Sequence, residues 1–222
     1  MTNGGAARIR AEHAGDAVHS STLYAIVQQR ILTGHYSPGI RVRESDLQHE
    51  FGTSNGPVRE ALQLAAADGL VERAPFRGVR VIQLDHRQIA DLFEVRGVLL
   101  TAAAELAATR ATPEALARGS ELRRAFAPDR QSGRRAEWLP GDLSRWVLEA
   151  AGNAQLAEAY RRPLLQSLVY VNAVLGKRGL VPVILDRYVV DLIDAIIARD
   201  PDAAKAAARI LTAETLRQLD VL

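Results

Sequence analysis

The chain has 222 residues, 48% of them hydrophobic, only 5% aromatic, with no cysteine and a formal net charge of +2. That length suits two small domains or one large one, and the missing cysteines exclude disulfides and thiolate metal sites, as suits a reducing cytoplasm. No apolar run approaches the roughly 20 residues of a membrane span, and the near-neutral charge means that any affinity for nucleic acid must come from where the arginines lie. Residues 1–18 lack the apolar core of a signal peptide and read as a disordered arm. Its Arg8 and Arg10 either reach DNA phosphates or, as the composition favours, belong to a solvated tail.

Thr22 to Thr33 is predicted as the first helix, with Leu23, Ile26, Val27 and Ile31 as its buried stripe. Gly34 stops it, Ser37-Pro38-Gly39 makes a turn, and Ile40-Arg41-Val42 reads as a short strand able to pair with the hairpin wing further along the chain. Two short helices then follow. The first carries Leu47 and Phe51 and ends at Gly52, a residue suited to positive φ. Ser54 is placed to cap the second, Pro57 lies in its first turn, and Val58, Ala61, Leu62 and Ala65 recur at helical spacing up to Gly69. Helix, tight turn, helix is the pattern whose second helix enters the DNA major groove. Leu70–Arg73 and Val79–Ile82 are β-prone runs around the turn Ala74–Gly78, which predicts a hairpin "wing" with Arg77 at its tip, set to meet phosphate or the minor groove. Winged helices that bind only protein have the same layout, so DNA binding is the favoured reading rather than the sole one.

Gln83 to His86 forms a short junction, dividing a DNA-binding domain over residues 19–84 from a helical domain over 85–222. Helices are predicted from Asp85 to Thr109, from Pro113 to about Phe126 with Thr112 as cap, from Asp142 to Ala151, from Ala154 to Leu175 with a bend near Pro163, from Val181 to about Arg199, and from Ala203 to Leu219. Residues 127–136 are polar and weakly ordered. Without a convincing strand, this part is an antiparallel bundle of about six or seven helices, and the fold class is mainly α. Asp191 and Asp194 are better read as a solvated helix face than as a catalytic carboxylate pair. Trp138 and Trp146 read as core or lid residues. With no cysteine, no histidine after His86 and no phosphate loop, catalysis has little support.

Ile31-Leu32-Thr33-Gly34, Ser37-Pro38-Gly39, Leu47, Pro57-Val58-Arg59-Glu60-Ala61-Leu62, Gly69-Leu70-Val71 and Arg77-Gly78 together resemble the winged-helix domain of GntR-type bacterial transcription regulators. The resemblance implies that Arg43, Ser54, Asn55, Gly56, Arg59, Arg77 and Gly78 face DNA. The family commonly presents three arginines there. Ser45 and Asn55 stand at two of those positions, Arg59 remains, and Arg43 is a neighbouring substitute. Arg96…Leu99, Ala103–Ala108, Ala150-Ala151-Gly152-Asn153 and Asp194-Ala195-Ile196 with Asp200 and Ala203-Ala204 resemble the helical effector-binding (FCD-like) domain of the FadR-like branch. Many members of that branch bind a divalent metal through one acid and three histidines. Counting from the Gly152-Asn153 and Asp194–Asp200 landmarks puts these positions at Pro140, Ser144, Val189 and Leu211, so no metal or other cofactor is expected.

An effector site is expected around Arg96, which falls within the apolar periodicity of its helix and so needs an anion or an acceptor. Leu100, Ser144, Val189 and Leu211 are further candidates, and Arg145, Tyr170, Asn172 and Arg187 weaker ones; alternatively Arg96 pairs with a neighbouring carboxylate or carbonyl, or reaches the domain interface. The resemblance implies a cytoplasmic, homodimeric repressor on a palindromic double-stranded operator, with no membrane partner. The apolar run Leu164 to Leu175 is the expected dimer surface. The rival is a relative whose bundle has lost its ligand and acts through constitutive dimerisation or a protein partner.

Overall fold

The computed structural model describes residues 19–74, 78–126, 141–172 and 181–219, in two compact units divided between Gln83 and Leu84. The expected N-terminal arm lies outside the described residues. The first unit runs α1 (Ser20–Leu32), β1 (Arg41–Val42), α2 (Glu44–Phe51), α3 (Asn55–Ala67), β2 (Val71–Ala74) and β3 (Gly78–Val81). The strands form an antiparallel sheet in the order β1-β3-β2, with Arg41 opposite Arg80 and Val71 opposite Val81. The expected pairing of the Ile40–Val42 run with the wing is present, and Val81 N–H extends it by donating to the Ile40 carbonyl at 2.9 Å.

Helical spacing puts one apolar stripe on each helix, and the three stripes close on one another. Leu23, Val27 and Ile31 of α1, Leu47 of α2, and Val58, Ala61, Leu62 and Ala65 of α3 are all buried. Each large aliphatic side chain withdrawn from water in this way contributes about 1.5–3 kcal/mol before entropy is counted. Ile26, expected in the stripe of α1, is only half-buried. Two polar ties fix the helices around this core. The Tyr24 hydroxyl donates to the buried Asp68 carboxylate at the end of α3. The Arg30 guanidinium forks onto both carboxylate oxygens of Glu50, at 2.5 and 2.8 Å, and donates to Tyr36 Oη. Its hydrogen bonds to Glu50 raise the Arg30 pKa above its ordinary value, against the opposing pull of partial burial.

The second unit consists of α4 (His86–Arg110), α5 (Pro113–Phe126), α6 (Asp142–Ala151), α7 (Ala154–Val171), α8 (Val181–Ile197) and α9 (Pro201–Leu219). No strand occurs among its described residues. α4 starts with a capping box: the Asp85 carboxylate accepts from Gln88 N–H, and Gln88 Oε1 accepts from Asp85 N–H. The inner face of α4 carries Phe93, Leu100 and four buried alanines, so neighbouring helices approach its backbone closely. α9 runs antiparallel to it, as shown by Gly97 lying against Thr212 and Glu105 pairing with Lys205. α7 continues through Pro163 as a single helix. α9 begins two residues earlier than expected because Pro201 occupies its first position and Asp200 Oδ1 accepts from both Asp202 and Ala203 N–H groups. Arg199 takes a left-handed φ of 57°, and its guanidinium donates to the Ala111 carbonyl at 2.8 Å.

Gly119 lies within α5 although glycine disfavours a helix by about 1 kcal/mol relative to alanine. Trp146 explains it. A Cβ at Gly119 would lie 2.3 Å from Trp146 Cζ2, and the indole is pinned there by its Nε1–H bond to the Ala115 carbonyl at 2.8 Å. Gly119→Ala is therefore expected to lower the stability of the chain by about 1–3 kcal/mol, as overpacking does. Chemical denaturation checks this; an unchanged or raised midpoint would show that helix propensity outweighs the clash.

Candidate functional site

α2 ends at Gly52, whose φ of 58° lets the chain turn sharply into Thr53-Ser54 and on to α3. Ser54 occupies the cap position of α3 but its side chain makes no cap bond, which corrects the expectation that it would accept a backbone N–H. Its exposed hydroxyl and the first N–H groups of α3 thus share the outer end of the helix, where helix N-termini favour phosphate. Because Val58, Ala61, Leu62 and Ala65 are turned inward, the opposite side of α3 presents Asn55, Gly56, Arg59, Glu60 and Gln63 to solvent. Arg59 is 59% exposed, and its Nε donates to Glu44 Oε2 at 3.2 Å. Asn55 lies within hydrogen-bond reach of Gln48 of α2, at 3.0 Å, and of Glu44 and Arg59. Arg43 is exposed just before α2.

At the wing, Gly78 takes a φ of 79°, and a Cβ there would stand 3.3 Å from the Arg41 guanidinium. Glycine thus allows both the turn and the close approach of Arg41. Arg77 lies outside the described residues. An arginine and a glutamine on one exposed helix face suit the major groove, since arginine matches guanine and glutamine matches adenine with two hydrogen bonds each. Sequence reasoning missed Gln63 and Arg41. Gln63 follows Arg59 by one helical turn and was detectable from that spacing; Arg41 was visible only as a strand residue, because its approach to Gly78 depends on strand pairing.

Inside the helical unit, Arg96 Nε donates to Tyr160 Oη at 2.9 Å, and Tyr160 Oη stands 3.4 Å from Ser144 Oγ. Tyr160 and Ser144 are buried, and the Arg96 guanidinium carbon lies 5.3 Å from the centre of the Phe93 ring. Arg96 Nη1 is buried without a hydrogen-bond partner among the described residues. A buried donor left unpaired costs about 1–3 kcal/mol, so this atom calls for an acceptor. Leu100, Val189 and Leu211 are buried aliphatic groups of the same unit. Arg145 does not join them: it is 64% exposed and pairs with Asp142 at 2.9 Å. Arg187 is also exposed, near Asp191. The Tyr170 hydroxyl accepts from Leu84 N–H at the start of the unit, and Asn172 stands at the end of α7. Asp194 is bridged by Arg123, which leaves the Asp191/Asp194 face structural. Tyr160 is the main residue that sequence reasoning missed, for nothing in its local pattern marks it off from an ordinary core aromatic.

Comparison with known proteins places both units. The family described as bacterial regulatory proteins, gntR family, matches residues 19–81, and the FCD domain matches residues 91–213. The HTH-type transcriptional regulator YieP of Escherichia coli is 30% identical over 208 residues, covering 82% of this chain and 87% of that protein. The chain belongs to the GntR family. The galactonate operon transcriptional repressor of Escherichia coli is 29% identical over 86% of this chain and 92% of its own. The regulator YdhC of Bacillus subtilis is 31% identical, but the match spans only 42% of each protein. Among solved structures, Escherichia coli McbR/YncC shares the fold with a TM-score of 0.73 at 19% identity, covering 93% of this chain and 99% of that one.

GntR-family membership makes the chain a DNA-binding transcription regulator with an FCD domain, a non-enzymatic class. It also frames the metal question. Of the four positions at which the resemblance puts metal ligands, Val189 and Leu211 carry no donor atom, Ser144 offers a neutral hydroxyl directed at Tyr160, and Pro140 lies outside the described residues. This donor set does not fit a divalent ion, which needs carboxylate or imidazole in place of its hydration shell. No described helix is long and apolar enough to cross a membrane.

Proposed function

We propose that this GntR-family protein acts in the cytoplasm as a dimeric repressor, binding a palindromic operator with α3 and responding to a small molecule in its helical unit. The exposed stripe of Asn55, Arg59 and Gln63 on α3, held out by a fully buried opposite face, carries the reading. Arg43, Ser54, Gly56 and the wing residues Arg77 and Gly78 add contacts that fix the register on the duplex. The likeness to a galactonate operon repressor supports the repressing output. Selection of duplexes from a random pool by the full chain tests the proposal: enrichment of an inverted repeat is expected, and no enrichment over the input pool would refute it.

For the effector, the proposal is metal-free binding. Arg96, through its unpartnered Nη1, anchors an acidic end, Tyr160 and Ser144 orient it, and Leu100, Val189 and Leu211 favour an apolar body. Metal analysis of protein purified without chelator or affinity resin is expected to show substoichiometric zinc, nickel and manganese; a stoichiometric, retained ion would overturn this part. The buried state of Val189 and Leu211 favours a second reading, in which they fill the space a ligand would take. Screening small carboxylates of increasing chain length by thermal shift separates the two, since only a ligand of the native state raises the melting temperature.

A further inference from the structure

We propose that Arg41, on β1, is a DNA-backbone contact, neutralising one phosphate for each copy of the chain bound. This adds a residue to the family's DNA-binding activity and does not depend on which sequence α3 reads.

The sheet sets two arginines side by side. β1 turns Val42 inward and leaves Arg41 exposed; β3 turns Val79 and Val81 inward, with Arg80 half-buried on the opposite face. The register puts Arg41 opposite Arg80, and Arg80 opposite Glu72, so the three form one row across the outer face. Like charges directly opposite one another destabilise a sheet, and opposite charges support it. Glu72 answers only one of the two arginines, its Oε1 accepting from Arg80 Nε at 2.5 Å. Arg30 and Arg59 of the same unit are likewise held by carboxylates, those of Glu50 and Glu44. Arg41 has no ion-pair partner among the described residues.

The Arg41 guanidinium reaches toward the turn of the wing. It lies beside Gly78, two residues before Arg80, with Nε and Nη2 each 3.3 Å from where a Cβ on Gly78 would stand. The bare backbone of Gly78 leaves room for it. A cation is thus held at the base of the turn, exposed and unneutralised. Its planar fork of donors matches two phosphate oxygens at once. With a helix in the major groove, elements flanking it meet the sugar-phosphate backbone, where half or more of protein–DNA hydrogen bonds go. A repelling pair on so short a strand is explained when an anionic group lies beside Arg41 in the complex.

Binding of the full chain to a mixed-sequence duplex and to the selected inverted repeat, each at a series of salt concentrations, tests this. Arg41→Gln is expected to weaken both complexes alike, by about fivefold per copy bound at about 0.15 M salt, and to lower the slope of log affinity against log salt by about 0.9 per copy. Its melting temperature is expected to be unchanged or higher, because the repulsion from Arg80 is gone. Arg41→Lys keeps the charge and is expected to keep the unaltered slope. A folded glutamine variant with an unaltered slope would overturn the contact. A loss confined to the inverted repeat would also overturn it, by making Arg41 a base reader. A lysine variant with a slope as shallow as the glutamine one would contradict a contact made through charge. Should Arg41→Gln fail to fold, Arg41→Met is read by the same criteria; failure of both would make Arg41 a strut of the sheet and overturn the proposal. An unaltered chain that binds neither duplex would instead remove the DNA-binding reading as a whole.

Discussion

Arg59→Ala is expected to weaken operator binding by about 1–3 kcal/mol, roughly 5- to 150-fold at fixed salt, the range for one good base contact. Arg59 contributes little to the fold. It is 59% exposed, and its bond to Glu44 is a surface ion pair of the kind worth under about 1 kcal/mol. The variant should therefore melt close to the unaltered protein, and its defect should appear in the specific complex more than in binding to unrelated duplex. The resemblance to the family's winged helix implies arginine at the positions that Ser45 and Asn55 occupy. The dependence of affinity on salt should accordingly be shallower than for a three-arginine relative, because each phosphate neutralised adds to the slope. A folded Arg59→Ala protein with undiminished operator affinity would remove Arg59 from the base-reading set.

Arg96→Met is expected to abolish any effector response while leaving the protein at least as stable. Arg96 holds one buried nitrogen with no partner among the described residues and gains one hydrogen bond to Tyr160. Methionine removes the unpaired donor and keeps most of the side-chain volume against Phe93. Replacing a buried polar group by an apolar one of similar shape is often neutral or stabilising. Tyr160 keeps Ser144 as a neighbour at 3.4 Å. The effector's acidic end, by contrast, loses the cationic anchor that Arg96 provides, so the thermal shift expected of the unaltered protein should vanish. A loss of stability of about 3 kcal/mol in Arg96→Met would instead show that the guanidinium is a structural strut.

Much of this was readable because the signals are local. Gly52 and Pro57 bracket the turn between α2 and α3 by their backbone preferences, and the stripe from Val58 to Ala65 follows from the helical period alone. The β1–β3 pairing followed from β-prone residues beside turn formers. Where partners are distant the sequence was silent. Tyr160 meets Arg96 across 64 positions, and only helix packing brings them together. Arg145 shared the candidate list with Ser144, yet one residue further along a helix is a rotation of 100°, enough to move it from interior to solvent. Ser54 had the right residue type and position for a cap, but its hydroxyl does not turn back to the helix.

The central claim is that α3 reads a specific sequence. It is tested most directly by the affinity of the full chain for the selected inverted repeat against a scrambled duplex of the same length, both measured at physiological salt. A ratio of about 1,000 or more, as sequence-specific regulators show, is the predicted result; equal affinity for the two duplexes would contradict it.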